Sequence, residues 1–496
     1  MTIRKLGPLL LAVAALAAYH DSFQGVFVYD DRLAILKNPT IRQLWPPWDA
    51  FTPPAATPVA ARPVVNVTLA INYAVSGFNP WSYHAFNLLV HTLNGLLLFG
   101  LLRRTSGDDW LALLASALWL AHPLQTESVM YVTQRSELLF GFFLLLTLYG
   151  AIRDWPGLAV AACALGMGSK EVMVVAPLLV MLYDRIFLKR SRPRLYLALA
   201  ATWLILAAWQ LGRPRAASVG FEHLSPVRYA LTQCEVIAHY LRLTVWPHPL
   251  VIDYQDWPIA HSLAEVWPQA GLLIILLAVT LWALRRQPAA GFLGAWFFLI
   301  LAPTSSVLPI ATEIAAERRM YLPLAAIVVG VVLLGKRLRP LWLVVAVLLT
   351  GLTIHRNRQY HSEIAILEST VAARPGNARA QTNLGNAYLR QNETARALTH
   401  YATAVQLKPQ WAQAHNNLGV ALAASGDPDH ARAHYREAIR LDPGLLDARV
   451  NLGLALVEQG KFAEAIPHLE AALRLQPDLP AVEAALTTAV THPAAP

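Results

Sequence analysis

Charged residues are scarce in this chain. They make up 14% of its 496 residues, whereas a soluble domain carries about 25%. Hydrophobic residues make up 56%. This balance excludes an ordinary soluble enzyme over most of the length and predicts a polytopic membrane protein.

Cysteines and the signatures of soluble enzymes are also few or missing. Cys163 and Cys234 fall in or near apolar stretches and give neither a disulfide framework nor a metal-ligand spacing. No phosphate-binding glycine loop, nucleophile elbow or zinc motif occurs. The net charge of +9 forms no basic stripe on a soluble face, so nucleic acid is not expected as a partner.

Long apolar stretches recur from residue 6 to residue 354 and predict transmembrane helices. We expect eleven spans, the first of which is an uncleaved anchor. They cover residues 6–20, 84–102, 110–123, 136–152, 156–169, 172–188, 195–211, 269–284, 290–303, 321–335 and 340–354.

Lysine and arginine cluster at alternate ends of these spans, as they do in cytoplasmic loops. The clusters begin at Arg4, Arg103, Arg153, Lys189, Arg285 and Lys336. The alternation holds only if residues 228–246 do not cross, and we expect them to form a helix in the outer interface or a re-entrant element. If that segment crosses, the count becomes twelve and the later half inverts. With eleven spans, the long loop 21–83 and the C-terminal quarter both lie outside the cytoplasm.

The C-terminal quarter repeats itself with a period of 34 residues, which is typical of tetratricopeptide repeats. We therefore predict an all-α chain, with a multi-span membrane domain at 1–355 and an α-solenoid at 356–496. The solenoid divides into repeats 378–411, 412–445 and 446–479, a partial repeat 361–375 and a capping helix 480–491. A concave groove for an extended peptide or a partner protein is the favoured function, and a rigid spacer or dimerisation face is the alternative.

Individual positions in the repeats predict packing. Gly385, Gly419 and Gly453 are expected where the two helices of a repeat come close. Tyr401, Tyr435 and Leu469 are expected to fill the gap between repeats. The turns between helices are expected to need left-handed residues at Asn392, Gly426 and Gly460.

Two acidic residues, Asp30 and Asp31, follow the first span. Neighbouring side chains point apart, so one carboxylate can act as a base while the other holds structure or substrate. Asp31 can equally cap a helix that begins at Arg32, and the residues alone favour that cap.

Further polar clusters lie at the expected outer ends of the spans, where ionisable groups are costly and usually functional. They comprise Arg62 with His84 and His91, His122 with Glu127, Arg135 and Glu137, Lys170 with Glu171, and Glu317 with Arg318 and Tyr321. Arg135, Lys170 and Arg318 are candidates for binding a lipid phosphate. Contacts between helices and snorkelling toward lipid headgroups are the alternatives. Asn66-Val67-Thr68 and Asn392-Glu393-Thr394 match the glycosylation sequon, which is common by chance.

Taken in order, these segments resemble a known family. The stretches that carry the resemblance are VYDDRLAILKNP, ARPVVNVTLAINYAVSGFNPWSYHAFNLLVHTLN, LWLAHPLQTESVMYVTQRSELLFGFFLLLTLYG, SKEVMVVAPLLVMLYDRIF and APTSSVLPIATEIAAERRMYLP, followed by the repeats. Over nearly its whole length the chain resembles the transmembrane and tetratricopeptide-repeat-containing proteins and their bacterial relatives. One departure is Leu324, where the family tends to have serine.

The resemblance implies a GT-C-type membrane glycosyltransferase, because the eukaryotic members are protein O-mannosyltransferases that use a dolichyl-phosphate-linked sugar. It implies that Asp30 and Asp31 form the catalytic site, with Asp30 as general base and Asp31 as its support. The repeats would engage the acceptor protein or peptide. The two carboxylates can also bind a divalent cation, Mg²⁺ or Mn²⁺, although the sequence shows no further ligand for it.

The composition, rich in alanine, leucine, arginine and proline, suggests a GC-rich bacterium. The lipid would then be an undecaprenyl-type phosphate, and the repeats would lie in the periplasm beside an inner membrane. A lipid-linked glycan polymerase or ligase would share the lipid-phosphate donor and stays open. A non-enzymatic membrane-anchored scaffold would need only one span. A flippase would need charges near the membrane midplane, whereas the charges here lie at span ends.

Overall fold

The computed structural model describes residues 3–212, 224–306, 310 and 313–492. Within these residues the secondary structure consists of helices and contains no β-strand, which confirms the all-α class. The chain divides into two compact units, Met1–Ala365 and Ile366–Pro496. The division falls slightly after the predicted domain boundary at residue 355.

The described part of the first unit is a bundle of helices joined by short connections. In chain order these are α1 Ile3–Tyr19, α2 Trp48–Phe51, α3 Pro63–Ser76, α4 Trp81–Ser106, α5 Asp109–Leu120, α6 Thr126–Met130, α7 Arg135–Ile152, α8 Pro156–Met167, α9 Ala176–Tyr183, α10 Pro193–Ala201, α11 Trp203–Gly212, α12 Pro226–Val245, α13 Leu263–Arg286, α14 Pro288–Leu301, α15 Pro323–Leu334 and α16 Arg339–Gln359. Short 3₁₀ or π-helical turns include Arg32–Leu36, Val132–Gln134, Glu171–Val175, Asp184–Leu188 and Glu317–Met320.

Six helical stretches in the described residues are long and apolar enough to cross a membrane. They are Ile3–Gln24, Trp81–Ser106, Val132–Ile152, Pro193–Leu211, Leu263–Arg286 and Arg339–Gln359. Shorter apolar helices are α3, α5, α8, α14 and α15. An integral membrane protein is therefore supported, whereas the count of eleven spans is not confirmed.

Two segments between the spans differ from a simple loop. The predicted outer loop 21–83 contains the apolar helix α3, whose Val65 and Leu69 are buried. Helix α12 covers the segment whose crossing was in question. One face of α12, with Tyr229, Val236 and Tyr240, is buried, while Val227 and Val245 near its ends are exposed.

The second unit has the regular helix pairs that the 34-residue period predicts. They are α17 Glu363–Ala373, α18 Ala378–Arg390 with α19 Thr394–Leu407, α20 Ala412–Ala424 with α21 Pro428–Leu441, α22 Leu446–Glu458 with α23 Phe462–Leu475, and α24 Pro480–Thr491. Helix α17 begins in the first unit and continues into the second. Helix α24 occupies the position predicted for the capping helix.

The glycines of the repeats lie where the sequence predicts close contact. A Cβ on Gly419 would lie 2.5 Å from the Tyr435 ring of the same repeat. Tyr435 also belongs to the core that includes Leu452 and Leu456 of the next repeat. Tyr435 therefore fills space within its repeat as well as between repeats. Asn392, with a φ of 60°, adopts the left-handed conformation expected at its turn.

Candidate functional site

Asp31 is fully buried and fixed by hydrogen bonds at both carboxylate oxygens. The backbone N–H of Val28 donates to Oδ2 at 3.0 Å. The backbone N–H of Thr133 donates to Oδ1 at 2.7 Å, and the Thr133 hydroxyl donates to the same oxygen. The Asp31 side chain accepts no bond from the helical turn that follows it, so the predicted helix cap is wrong. It instead holds residues 28–31 against Thr133.

The pKa of Asp31 is raised to about 7. Burial is the largest cause, because it disfavours the charged carboxylate, and the donors on Val28 and Thr133 oppose it only in part. Asp31 therefore changes charge near neutral pH.

Asp30 is half-buried and lies beside Tyr131. Its backbone N–H donates to the Tyr131 hydroxyl at 2.9 Å. The preceding residue, Tyr29, has a φ of 45°, which is uncommon outside glycine and costs about 1–3 kcal/mol. The segment 131–133 thus holds both acidic residues, one through Tyr131 and the other through Thr133.

Arg135 is fully buried among neutral acceptors. Its guanidinium donates to the side-chain oxygens of Asn72, Asn87 and Thr68 at 2.7, 3.1 and 3.2 Å. It also donates to the Tyr83 carbonyl at 3.1 Å. These bonds link α3, α4 and α7, and they do not favour direct contact between Arg135 and a donor phosphate.

Lys170 belongs to a second, separate network. It pairs with Glu137 inside the unit, where both side chains are less than a tenth exposed. Arg62 donates to both carboxylate oxygens of Glu171 at 3.2 Å and to the Ser136 hydroxyl at 3.4 Å. The two ion pairs tie the start of α3 to α7 and to residues 168–171.

Arg318 lies in a third network, with two carboxylates. Its guanidinium pairs with Glu127 and with Glu313, and its backbone N–H donates to Glu127 at 2.8 Å. The positive charge of Arg318 is close enough to act on the hydroxyl of Tyr131. Of the three predicted phosphate ligands, Arg318 is tied to the surroundings of the acidic pair through Tyr131, and Arg135 interacts electrostatically with Asp31 itself.

Glu317 accepts hydrogen bonds from the Val251 N–H and the Tyr254 hydroxyl, both at 2.6 Å. Burial raises the pKa of Glu317 to about 8. It fastens the loop after α12 to the turn before α15, which is a structural contact.

The predicted polar face of α4 makes contacts between helices. His91 accepts from the Tyr321 hydroxyl at 2.9 Å and donates from Nε2 to the Leu120 carbonyl at 3.1 Å. Asn94 donates to the same Tyr321 hydroxyl at 2.9 Å. His84 is buried against the backbone of Gly25, where a Cβ would lie 2.7 Å from its ring.

His122 contacts the backbone on both sides. The Leu124 N–H donates to its Nδ1 at 3.2 Å, and its Nε2 donates to the Thr244 carbonyl at 3.1 Å. Burial lowers the pKa of His122 to about 4, so the ring is neutral at physiological pH.

A metal-binding cluster is missing from the described residues, and the asparagine of the first glycosylation sequon is buried. In the parts of the chain that the structure covers, no three side chains of His, Cys, Asp or Glu are gathered for a metal ion. Asn66 of the first sequon is fully buried, and its amide donates to Thr40 and to the Ala50 carbonyl. It is therefore not accessible to a glycan-transferring enzyme in the folded chain.

Tyr131 and Thr133 are the site residues that sequence reasoning missed. They stand within the quoted stretch LWLAHPLQTESVMYVTQRSELLFGFFLLLTLYG, between the candidates Glu127 and Arg135. The signal that could have indicated them is that both carry a hydroxyl group and lie close in sequence to charged candidate residues. Nothing in the local pattern, however, connects these residues to Asp30 and Asp31, about a hundred positions earlier.

Comparison with known proteins gives a relationship over both units. A tetratricopeptide repeat family model matches residues 356–410, 382–445, 417–480 and 450–492. The chain is 26% identical over 487 residues to the Homo sapiens protein O-mannosyl-transferase TMTC1, covering 80% of this chain and 54% of that protein. It is 24% identical over 487 residues to Mus musculus TMTC4, covering 79% of this chain and 65% of that protein.

A third relative is the Caenorhabditis elegans protein O-mannosyl-transferase F38B6.6, with 25% identity over 80% of this chain and 62% of that protein. The chain thus spans between about half and two thirds of the length of these curated relatives. Among solved structures, the Arabidopsis OM64 TPR domain is 22% identical, covers 23% of this chain and 95% of that chain, and has a TM-score of 0.23. The resemblance and the C-terminal repeats predicted from the motifs are confirmed.

Proposed function

We propose that this chain is an integral membrane glycosyltransferase that transfers a sugar from a polyprenyl-phosphate-linked donor to a hydroxyl group of a protein. Relatives named protein O-mannosyl-transferases align with about 80% of its length. The single observation that supports the proposal most is the acidic pair. Asp31 is fixed by three donors, and Asp30 stands beside it, half-buried.

In this proposal Asp30 is the general base. A hydroxyl of serine or threonine is a poor nucleophile until a carboxylate takes its proton during attack. The acceptor oxygen then bonds to the anomeric carbon, the bond from that carbon to the phosphate oxygen breaks, and its electron pair leaves with the lipid phosphate. Attack opposite the leaving group inverts the anomeric carbon. Asp31 holds Asp30 in place through the shared backbone.

Negative charge that develops on the leaving phosphate needs a cation or hydrogen-bond donors. Arg318 is the proposed ligand, because its charge acts on Tyr131 beside the acidic pair. Arg135 is also near Asp31, but its guanidinium already donates to four neutral oxygens. Arg135 and Lys170 then support the shape of the site from their own networks. A divalent cation on Asp30 and Asp31 stays an alternative, and binding by Asp31 would compete with its three hydrogen-bond donors.

The repeats would hold the acceptor polypeptide, and the site and the repeats would both face the outside of a bacterial inner membrane. Labelling of single cysteines introduced at exposed positions, with a membrane-impermeant maleimide on intact spheroplasts, tests this orientation. Labelling of a repeat position only after lysis would overturn it.

Sugar transfer in membranes tests the activity. Labelled polyprenyl-phosphate sugars are supplied to the wild-type chain and to Asp30→Asn, Asp31→Asn and Arg318→Met, and label is followed into protein. We expect Asp30→Asn to lower the rate about 10²–10⁴-fold, the usual contribution of a general base. Glu265→Gln, which alters an exposed carboxylate at the start of α13, is the control and should leave transfer unchanged.

The outcomes are separable at equal expression. Label in glycan but not in protein would indicate a polymerase or ligase. Full activity of both aspartate variants would overturn the assigned site. No transfer with any donor would favour the membrane-anchored scaffold.

A further inference from the structure

An elongated cavity lies among helices of the first unit, between α4, α5, α7, α9, α14 and α15. Its volume is about 350 Å³, which is within the range of cavities that hold small ligands. Leu98 and Ser106 both line it and are eight residues apart on α4. At the helical rise of about 1.5 Å per residue, the cavity is therefore about 12 Å long.

The lining of this cavity is apolar, and its few polar groups already have partners. The hydroxyls of Thr105 and Tyr183 lie 2.7 Å apart. The Ser106 hydroxyl donates to a backbone carbonyl of its own helix at 2.8 Å, and the Trp296 indole donates to a backbone carbonyl at 2.9 Å. A sugar or a peptide would lose its water here without replacement, whereas a hydrocarbon chain would not.

The cavity is closed at one end and open at the other. Leu98 and Trp296, at the closed end, are each 6% exposed. At the other end Ser106 and Ala289 are exposed, and Leu333 is 42% exposed. These three residues form the mouth of the cavity, between the last turns of α4 and α15 and the first turn of α14.

Cationic residues accompany every position of the mouth. Arg104, Arg286 and Lys336 each lie two or three residues along the chain from one of the three mouth residues. All three side chains are exposed, and none is paired with a carboxylate in the described part of the chain. Basic pockets between transmembrane helices bind the headgroups of anionic lipids.

From these observations we propose that the cavity binds one acyl chain of an anionic phospholipid, whose phosphate lies on the cationic residues of the mouth. The apolar lining suits the chain, and the positive charge suits the headgroup. The length of about 12 Å is also close to one leaflet of hydrocarbon, about 15 Å or half of a core of about 30 Å. The bound chain contacts α4, α7, α14 and α15 at once and so holds these helices together.

The mouth lies far from the place where the donor phosphate is proposed to bind. Asn87 of α4 accepts from Arg135 in the neighbourhood of the acidic pair. Ser106 is nineteen residues further along the same helix, about 28 Å away. A donor phosphate on Arg318 would therefore lie at the opposite end of α4 from the cationic residues of the mouth. The phospholipid is a separate, structural lipid.

Lipid titration of the purified, delipidated chain in detergent tests this site. Phosphatidylglycerol and phosphatidylcholine with the same acyl chains are added, and native mass spectrometry counts the lipids that the protein retains. We expect one retained phosphatidylglycerol, bound at least tenfold more tightly than phosphatidylcholine. Ala289→Trp, which fills the mouth, should weaken this binding at least tenfold. Ala290→Trp alters the next residue, which is exposed but does not line the cavity, and should leave binding unchanged.

Charge variants test the contact with the headgroup. Arg104→Gln combined with Arg286→Gln should abolish the preference for phosphatidylglycerol. Arg228→Gln, which removes an exposed arginine from α12 outside the cavity, should preserve it. Phosphatidylglycerol should also raise the unfolding temperature of the wild type and of Ala290→Trp, but not that of Ala289→Trp. The melting curves show at the same time that each variant is folded.

Three outcomes would overturn the proposal. They are equal binding of the two lipids by the wild type, unchanged binding by Ala289→Trp, and displacement of the bound phosphatidylglycerol by an equal concentration of a polyprenyl phosphate. The last would assign the cavity to the tail of the donor. None of these measurements depends on sugar transfer.

Discussion

The two units bury polar groups in different ways. In the first unit, contacts join positions far apart in the chain, such as Arg318 with Glu127, 191 residues away. In the second unit the same contact recurs in each repeat. Gln381, His415 and Arg449 each donate to the carbonyl of the proline six residues earlier. The stability of the first unit therefore depends on polar networks that each occur once, whereas that of the second depends on one local arrangement that occurs in three repeats.

The largest expected effect comes from breaking a buried network of the first unit. Lys170→Met leaves the Glu137 carboxylate buried without its partner. Loss of one member of a buried pair costs about 3–5 kcal/mol of unfolding free energy. Denaturant unfolding of the purified chain in detergent measures it. The double variant with Glu137→Met should recover most of the loss, and failure to recover would contradict the pair as its cause.

A smaller effect is expected from filling a repeat. In Gly419→Ala the new Cβ meets the Tyr435 ring at 2.5 Å and the Ala431 carbonyl oxygen at 3.0 Å. Overpacking of this kind costs about 1–3 kcal/mol. In Gly453→Ala the nearest atoms belong to the flexible Leu469 side chain, so that variant should lose less. Equal losses in thermal unfolding of the two variants would contradict the role of the tyrosine ring.

The stability of the first unit should depend on pH near neutrality. The pKa of Asp31 is raised to about 7, so the folded state holds this proton more tightly than the unfolded state. Stability therefore falls as pH rises through this range, by about 1 kcal/mol between pH 6 and pH 8. Asp31→Asn should remove that part of the slope. An unchanged slope in melting curves would show that other groups cause it.

The smallest effect is expected from an exposed ion pair of the second unit. Arg436 and Glu464 lie 3.0 Å apart, and each side chain is about half exposed. Arg436→Met should therefore change the unfolding free energy by roughly 0–1 kcal/mol. A loss of unfolding free energy as large as that caused by Lys170→Met would contradict the difference between the buried pairs of the first unit and the exposed pairs of the second.

The repeats were largely predictable because their structure is local. The 34-residue period, the turn glycines and the capping segment specify helix pairs whose contacts lie within a repeat or its neighbour. The sequence predicted the close contact at Gly419 and the left-handed turn at Asn392, and the structure has both. It did not reveal that the rings of His415 and His434 contact each other, with their Nδ1 atoms 3.0 Å apart, because that contact depends on how the two helices are rotated about their axes.

The membrane unit was predictable only in outline. Its composition and apolar stretches predicted a helical, membrane-embedded unit. The order of its motifs indicated which proteins it is related to. The helix α3, which lies inside the predicted loop 21–83, was missed because polar residues break its apolar pattern. The hydrogen-bond and ion-pair partners within the polar clusters could not be predicted either, because they lie far apart in the sequence.

The sequence by itself determined the class of the protein: an apolar helical body, a helical repeat region and a pair of neighbouring acidic residues. Only the tertiary structure decided that Asp31 is held by Val28 and Thr133, that Asp30 lies beside Tyr131, and that Arg135, Lys170 and Arg318 belong to three networks. The physical reason is distance along the chain. Helix formation and burial follow from neighbouring residues, whereas the partner of a buried charge is chosen by how distant helices pack.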